Sequence, residues 1–352
     1  MARIAIVGAG MMGSALAFPA RENGNDVRLV GTPLDDDIIS CCQNTGRHPK
    51  FDRDFPEGIS YYRFQQVHEA IEGADFIIGG VSSFGVQWFA ENVLPIVPEG
   101  TPILSVTKGL QDFEDGTLLC YPQIWRKTLD RLGKSNSLCA IGGPCTSYEL
   151  VAHDQSLVAF CGKDRRALEM MQKAMCTEYY HAILSDDVMG VEAAVALKNG
   201  YALGIALTIG ENIRKSGNEN EMHYNSQAAA FLQASREMDL LVRMLGGTKD
   251  SFMIGIGDLY VTVYGGRTRK VGILLGKGLD IDQALERLQG VTLESLVVAK
   301  RVARALKELA AQGKVDLKDF PFLMHVDDII SNKASVDIPW NDFVTWQGDH
   351  SK

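Results

Sequence analysis

Two patterns of apolar and polar positions divide the chain. In the N-terminal half, short apolar runs rich in β-branched residues alternate with stretches of helical spacing. Runs at 3–7 (RIAIV), 27–30 (VRLV), 76–79, 103–106 and 138–141 read as buried strands, and 12–23 reads as a helix ended by Gly24. Strands alternating with helices predict an α/β domain, a parallel sheet covered on both faces. From about Asp186 long helical periodicity takes over, at 188–213, 226–246, 281–288 and 292–312. The pattern therefore predicts an α/β domain over 1–187, a second, mostly α-helical domain over 188–334, and a C-terminal tail over 335–352 with two tryptophans and little periodicity. Residues 214–224 (RKSGNENEMHY) form a polar insertion between helices, expected as an exposed loop. No internal repeat or low-complexity tract is visible.

The run 189–210 (MGVEAAVALKNGYALGIALTIG) is the most informative of these, because Lys198 and Asn199 sit side by side near its middle. A buried lysine is costly: desolvation disfavours the ammonium and lowers its pKa by roughly 3–5 at full burial. A lysine held this way is suited to proton exchange near neutral pH. The run is long enough to span a bilayer. Glu192, Lys198 and Asn199 within it argue against stable membrane insertion and for a buried helix of a soluble domain.

Composition narrows the choices further. At 352 residues the chain suits two domains, and 46% hydrophobic with 22% charged residues is a soluble globular composition. A net charge of −9 excludes the basic footprint of a nucleic-acid binder, while a pocket stays free to be locally basic. The first apolar run leads straight into a glycine-rich loop, unlike a secretory signal. Seven cysteines without a CxxC pair fit reduced thiols in the cytoplasm, and seven histidines without ligand spacing predict no metal.

Gly8-Ala9-Gly10-Met11-Met12-Gly13 is a GxGxxG that follows a strand and opens a helix. In that context it marks a dinucleotide site: Gly8 for the tight turn, Gly10 for backbone approach to a pyrophosphate, Gly13 for close helix–strand packing. The helix N-terminus supplies N–H groups to the anion. This predicts a Rossmann-type, doubly wound parallel sheet. An acid is expected some 20 residues on, but Gly31-Thr32-Pro33 stands there, and Asp35, Asp36 and Asp37 come late, where they read as the start of a helix. Thr32 is left to bond a ribose hydroxyl. With no arginine following the strand, the reading favours NAD and leaves NADP open. Two further strand-end loops point at the cofactor. One holds Ser83, which either caps the next helix or touches cofactor, and Phe84, placed to flank the nicotinamide; the other is Thr107-Lys108-Gly109.

A second cluster lies at Gly255-Ile256-Gly257-Asp258, Thr262 and Gly265-Gly266-Arg267-Thr268-Arg269-Lys270. Glycine N–H groups and planar guanidinium forks suit a phosphate, so the segment reads as an anion pocket. Asp258 beside it needs a partner of its own, and Lys198 is the natural one.

These motifs, in this order, resemble the NAD(P)-dependent glycerol-3-phosphate dehydrogenase family. The resemblance covers about residues 3–310 and rests on GAGMMG, VSSF, TKG, GGPCTSYE, VEAAVALKNG, GIGDLYVTVYGGRTR and the late LQG. It implies reversible reduction of dihydroxyacetone phosphate to sn-glycerol 3-phosphate with a nicotinamide cofactor. Lys198 corresponds to the family's catalytic lysine, with Asp258 and Lys108 as its companions. Lys108, Asn199, Thr262, Gly266, Arg267 and Thr268 would hold the substrate, with Arg267 on the phosphate. Gly8, Gly10, Met11, Met12, Gly13 and Thr32 would meet the cofactor, as would Ser83, Phe84, Lys108, Ser147, Arg267 and Gln289. A small phosphorylated substrate and a homodimer are the implied partners. The chain departs from the family at Met12, along 143–149 (GPCTSYE), at Thr268, where the family has asparagine, and at Gln233, where many bacterial members have arginine. Thr268 and Gln233 read as substrate-end changes. They keep open another phosphorylated ketose or polyol, or a 2-keto acid or opine-type substrate; a dinucleotide-binding regulator without catalysis is the remaining alternative.

Overall fold

A computed structural model describes residues 1–288 and 293–344. The chain divides into unit 1, Met1–Gly109 with Cys120–Glu192, and unit 2, Leu110–Leu119 with Ala193–Lys352. The division falls after Glu192 rather than after 187, and the excursion 110–119 joins the second unit. The physical reason is continuity: an apolar helix runs unbroken across the expected boundary. The excursion in turn is held by arginines of unit 2, with Arg301 donating to the Leu110 carbonyl at 3.0 Å and Arg304 2.7 Å from Asp112.

Unit 1 carries the strands β1 (Arg3–Val7), β2 (Asp26–Val30), β3 (Ser60–Tyr62), β4 (Phe76–Gly79) and β5 (Ile103–Ser105). After β6 (Leu110–Asp112) and β7 (Leu118–Cys120), which pair with each other, come β8 (Leu138–Gly142), β9 (Ser156–Gly162) and β10 (Tyr180–Ser185). The main sheet has the order β10-β9-β8-β5-β4-β1-β2-β3. Its neighbours are parallel except β8 and β9. The helices α1 (Met11–Glu22), α2 (Asp36–Thr45), α3 (Val67–Ile71), α4 (Val86–Asn92), α5 (Tyr121–Arg131), α6 (Ser147–Val151) and α7 (Arg165–Met175) connect these strands. Two separate hydrophobic clusters form, one around Ile4, Ile6 and Phe18, the other around Ala5, Val7 and Trp125. Alternate residues of β1 thus enter opposite cores, as a central parallel strand requires. The sheet is the doubly wound parallel one predicted, with chain order reversing between β1 and β4, where such sheets bind ligands. β3, β6, β7, β9 and β10 were not among the predicted strands.

Unit 2 is helical: α8 (Val188–Ser216, its first turn in unit 1), α9 (Tyr224–Met244), α10 (Lys249–Tyr264), α11 (Gly266–Gly276), α12 (Ile281–Arg287), α13 (Glu294–Ala311), α14 (Pro321–Asn332) and α15 (Trp340–Phe343). Among the described residues α8 is the one helix long and apolar enough to cross a membrane, and its most apolar window is 89% buried inside the protein. Small residues let its neighbours come close. A Cβ on Gly255 of α10 would lie 2.6 Å from that of Ala194, one on Gly272 of α11 2.5 Å from that of Ala206, and one on Gly276 2.3 Å from the Leu207 carbonyl oxygen. Gly255 and Gly257, expected in a pocket-lining turn, are therefore interior positions of α10. In the tail, Val336 and Ile338 are buried and Phe343 lies 5.4 Å from the Phe322 ring.

The buried carboxyl of Glu237 ties three of these helices together. It accepts from Gln233 (2.7 Å) and the Tyr201 hydroxyl (3.0 Å), and from the backbone N–H groups of Phe322 (2.8 Å) and Leu323 (3.0 Å) in the first turn of α14. Gln233, expected at the substrate end, is thus a core residue, 4% exposed, whose amide serves Glu237. Burial pushes the Glu237 pKa up to about 7 in spite of the four donors. Glu237→Ala would strand two helix N–H groups, a hydroxyl and an amide, each costing about 1–3 kcal/mol when buried without a partner. The expected loss of stability is at least about 3 kcal/mol, seen as a lower urea midpoint; an unchanged midpoint would contradict the assigned network.

Candidate active site

The fingerprint loop is built by close contact at the switch point. Gly8 has φ +118°, and a Cβ there would sit 2.6 Å from the Gly80 carbonyl carbon. One on Gly13 would sit 2.1 Å from the Gly8 oxygen. The loop bonds to strands on both sides, Gly8 N–H to the Val30 carbonyl and Gly80 N–H to that of Val7, both at 2.8 Å. Gly10 is the N-cap of α1 and offers no side chain to the helix N–H groups, which leaves them for an anion. His48 supports the loop from beneath. Its Nδ1 accepts from Lys50 N–H, so Nε2 carries the proton and donates to the Ala9 carbonyl at 3.3 Å. Burial lowers its pKa and keeps the ring neutral.

A cavity of about 440 Å³ opens over this loop, within the range of ligand pockets. Among its lining residues are Gly8, Gly10, Thr32, Asp35, Phe84 and Trp88. Phe84 is 62% exposed, an apolar ring presented to a ligand face. Asp35 is the residue that sequence reasoning passed over. Its Oδ2 accepts from Thr32 N–H (2.9 Å), the Thr32 hydroxyl (2.7 Å) and Ala9 N–H (3.2 Å), locking the loop after β2 onto the fingerprint. The signal was the acid expected about 20 residues beyond the glycines; a one-turn bend at 32–35 brings Asp35 back to that place.

The other expected cofactor residues are distributed differently. Met11 and Met12 pack partly buried on the unit 1 core, and Gly13 lies behind the loop. Ser83 opens a single 3₁₀ turn, Ser83–Gly85, and the N-cap of α4 is Gly85, so Ser83 is not that helix's cap. Ser147 begins α6 behind the Thr146 cap. Gln289 lies outside the described residues. Lys108 follows β5 and donates to the Gly143 carbonyl beyond β8 at 3.0 Å. Its neighbour Thr107 anchors the loop by donating to the Val81 carbonyl at 2.6 Å.

In unit 2 the structure brings Lys198 and Asp258 together as a hydrogen-bonded ion pair between α8 and α10. The side chains are 12% and 2% exposed. Thr262, one turn on, donates to the Asp258 carbonyl at 2.7 Å, and Asn199 is half-buried beside Lys198. Gly265 and Gly266 break the chain between α10 and α11, with Gly266 at φ +80°. Arg267 follows in the first turn of α11, exposed and, among the described residues, without an ion-pair partner, next to the half-buried Thr268. Arg269 is occupied, donating to the Val263 carbonyl at 3.0 Å. A guanidinium at an uncapped helix N-terminus is a phosphate-binding arrangement. No group of three His, Cys, Asp or Glu suited to a metal occurs among the described residues.

Comparison with known proteins agrees over nearly the whole chain. Residues 3–168 match the model of the NAD-dependent glycerol-3-phosphate dehydrogenase N-terminus, and 187–340 that of its C-terminus. The NADP(+)-dependent glycerol-3-phosphate dehydrogenase of Archaeoglobus fulgidus is 32% identical over 317 residues, 89% of this chain and 92% of that one. A glycerol-3-phosphate dehydrogenase of Acidobacterium capsulatum is 29% identical over 343 residues, 95% of each. The crystal structure of glycerol-3-phosphate dehydrogenase from Coxiella burnetii shares the fold, with TM-score 0.77, 23% identity and 98% of each chain covered. The dinucleotide loop, the buried lysine–aspartate pair and these matches lead to one conclusion: the chain belongs to the NAD-dependent glycerol-3-phosphate dehydrogenase family, oxidoreductases that use NAD or NADP.

Proposed function

We propose that the protein reduces dihydroxyacetone phosphate reversibly to sn-glycerol 3-phosphate. The observation that carries this reading is the buried Lys198–Asp258 pair in a chain whose two halves both match the family. Unit 1 is assigned to the dinucleotide and unit 2 to the substrate chemistry. The fingerprint loop and α1 N-terminus fit a pyrophosphate, and Thr32 and Asp35 supply the polar edge a ribose needs. When bound, the nicotinamide supplies the hydride. Lys198 donates the proton to the forming alkoxide, with Asp258 fixing its ammonium in place. Lys108 and Asn199 orient and polarise the substrate oxygen, and Arg267 with the N–H groups of α11 holds the phosphate. On the same resemblance we place the enzyme in the cytoplasm as a homodimer, a setting consistent with seven free thiols.

Purified protein is expected to oxidise NADH or NADPH in the presence of dihydroxyacetone phosphate, with KM in the range of about 1 μM–1 mM. Binding of either dinucleotide without turnover would move the search to other phosphorylated ketoses and to keto acids. Lys198→Ala is expected to keep dinucleotide affinity and lose at least about a hundredfold in kcat, the scale of general acid catalysis. Turnover near the wild-type rate would remove Lys198 from the chemistry. Arg267→Ala is expected to raise KM about tenfold or more with a smaller fall in kcat, as loss of a charge-assisted phosphate contact would; an unchanged KM would separate Arg267 from the phosphate.

A further inference from the structure

Glu192 stands just past the first turn of α8 with nothing to hold. It is 0% exposed, and neither carboxyl oxygen has a hydrogen-bond partner. A buried polar group in that condition costs stability, and a fold carries one where it has a use or where its charge can be removed by protonation. Three titratable groups face it from other elements: Lys108 from the loop after β5, Cys120 at the end of β7 and Cys161 on β9. Burial pushes the Cys120 thiol up to about 12 and the Cys161 thiol well above its usual value, so both stay neutral through the working pH range. Lys108 is therefore the one charged group of the three. Burial drives the Glu192 carboxyl up to about 8, and the Lys108 ammonium opposes that shift.

We propose that Glu192 is the positioning residue of Lys108, its buried carboxyl determining by its own charge state whether the ammonium is left to substrate or drawn toward an internal anion. The proposal rests on the reading of Lys108 as a substrate-binding lysine. A neutral Glu192 does not compete for the ammonium. An ionised one does, whatever else Lys108 touches. The glutamate thus makes substrate affinity fall on the alkaline side without entering the chemical step.

The test is KM and kcat for dihydroxyacetone phosphate between pH 7 and 9.5 in wild type, Glu192→Gln and Lys108→Met. In this range the substrate phosphate, with a second pKa near about 6, stays dianionic. Wild-type KM is expected to rise above pH 8, approaching about tenfold per pH unit, with kcat changing less. Glu192→Gln keeps the shape and loses the titration, so its KM stays flat; a rise matching the wild type would overturn the proposal. Lys108→Met is expected to raise KM at every pH, and no rise would defeat the reading of Lys108 instead. A substrate-free arm separates the two failures. A carboxyl raised from 4.5 to about 8 stabilises the fold fully below 4.5 and loses that contribution as pH climbs to about 8. The Tm of wild type should therefore fall behind that of Glu192→Gln between those values and then level off. In the Lys108→Met background, where the opposing cation is gone, the gap should keep widening above pH 8. The same levelling point in both backgrounds would show that Glu192 and Lys108 do not sense each other.

Discussion

The ion pair between Lys198 and Asp258 is the constraint on which the helical unit turns. A lysine in the middle of an apolar 29-residue helix needs an anion delivered to it at close range. Delivery depends on how near α10 comes to α8, and that is set one turn away by Gly255 lying against Ala194. With any side chain at 255 the helices would be pushed apart and the Lys198–Asp258 pair opened. Breaking such a pair typically costs about 3–5 kcal/mol. Packing of small residues and placement of charge are therefore one problem with one solution. The same device recurs along α8, where Gly272 and Gly276 seat α11, the helix that carries Arg267 in its first turn.

An acidic chain that takes an anionic substrate must concentrate positive charge locally. The net charge of −9 makes this a question of arrangement. Several cations of the protein are engaged in surface pairs such as Arg165 with Glu169 or Arg243 with Asp239. Arg267 is kept apart from this: it is exposed, at a helix start, and its neighbour Arg269 is turned back onto a carbonyl. The first turn of α1 follows the same logic, with Gly10 contributing no carboxylate or hydroxyl to the N–H groups behind it. Both helix starts proposed to hold anions lack a side-chain cap.

How far the residues alone disclosed this arrangement depends on the range of the interaction. The doubly wound sheet and the fingerprint were legible because strand period, glycine spacing and helix start are local. Lys198 with Asp258 was legible because an isolated charge in an apolar helix demands a partner and few candidates stood near a glycine-rich segment. Asp35 was not, because its place depends on a bend at 32–35 that spacing does not register. The helices α10 and α11 were hidden by their own glycines, which signal turns in sequence but here serve helix–helix approach. Gln233 looked like a change at the substrate end, and only the fold reveals Glu237 one turn along as its reason. β9 and β10 pair with the strands just before them in the chain, so range does not explain why they were missed; exposed Leu157 and Ile183 interrupt the buried apolar run that marks the central strands.

Two buried glutamates show why burial by itself does not assign a role. Glu237 receives four donors and still has its pKa raised to about 7, so desolvation outweighs even a complete set of hydrogen bonds. Its partners nonetheless make it structural, since two of them are helix N–H groups that would otherwise be orphaned. Glu192 is as deeply buried, stabilises no backbone, and faces a lysine. Replacing it by a smooth apolar group would relieve the fold of an unsatisfied carboxyl, so architecture does not account for its presence. What a carboxyl at that position offers, and an apolar side chain does not, is a charge that appears only when the proton leaves. A group of that kind, placed beside a cation and away from solvent, acts on electrostatics and not on packing, and Lys108 is the group it faces.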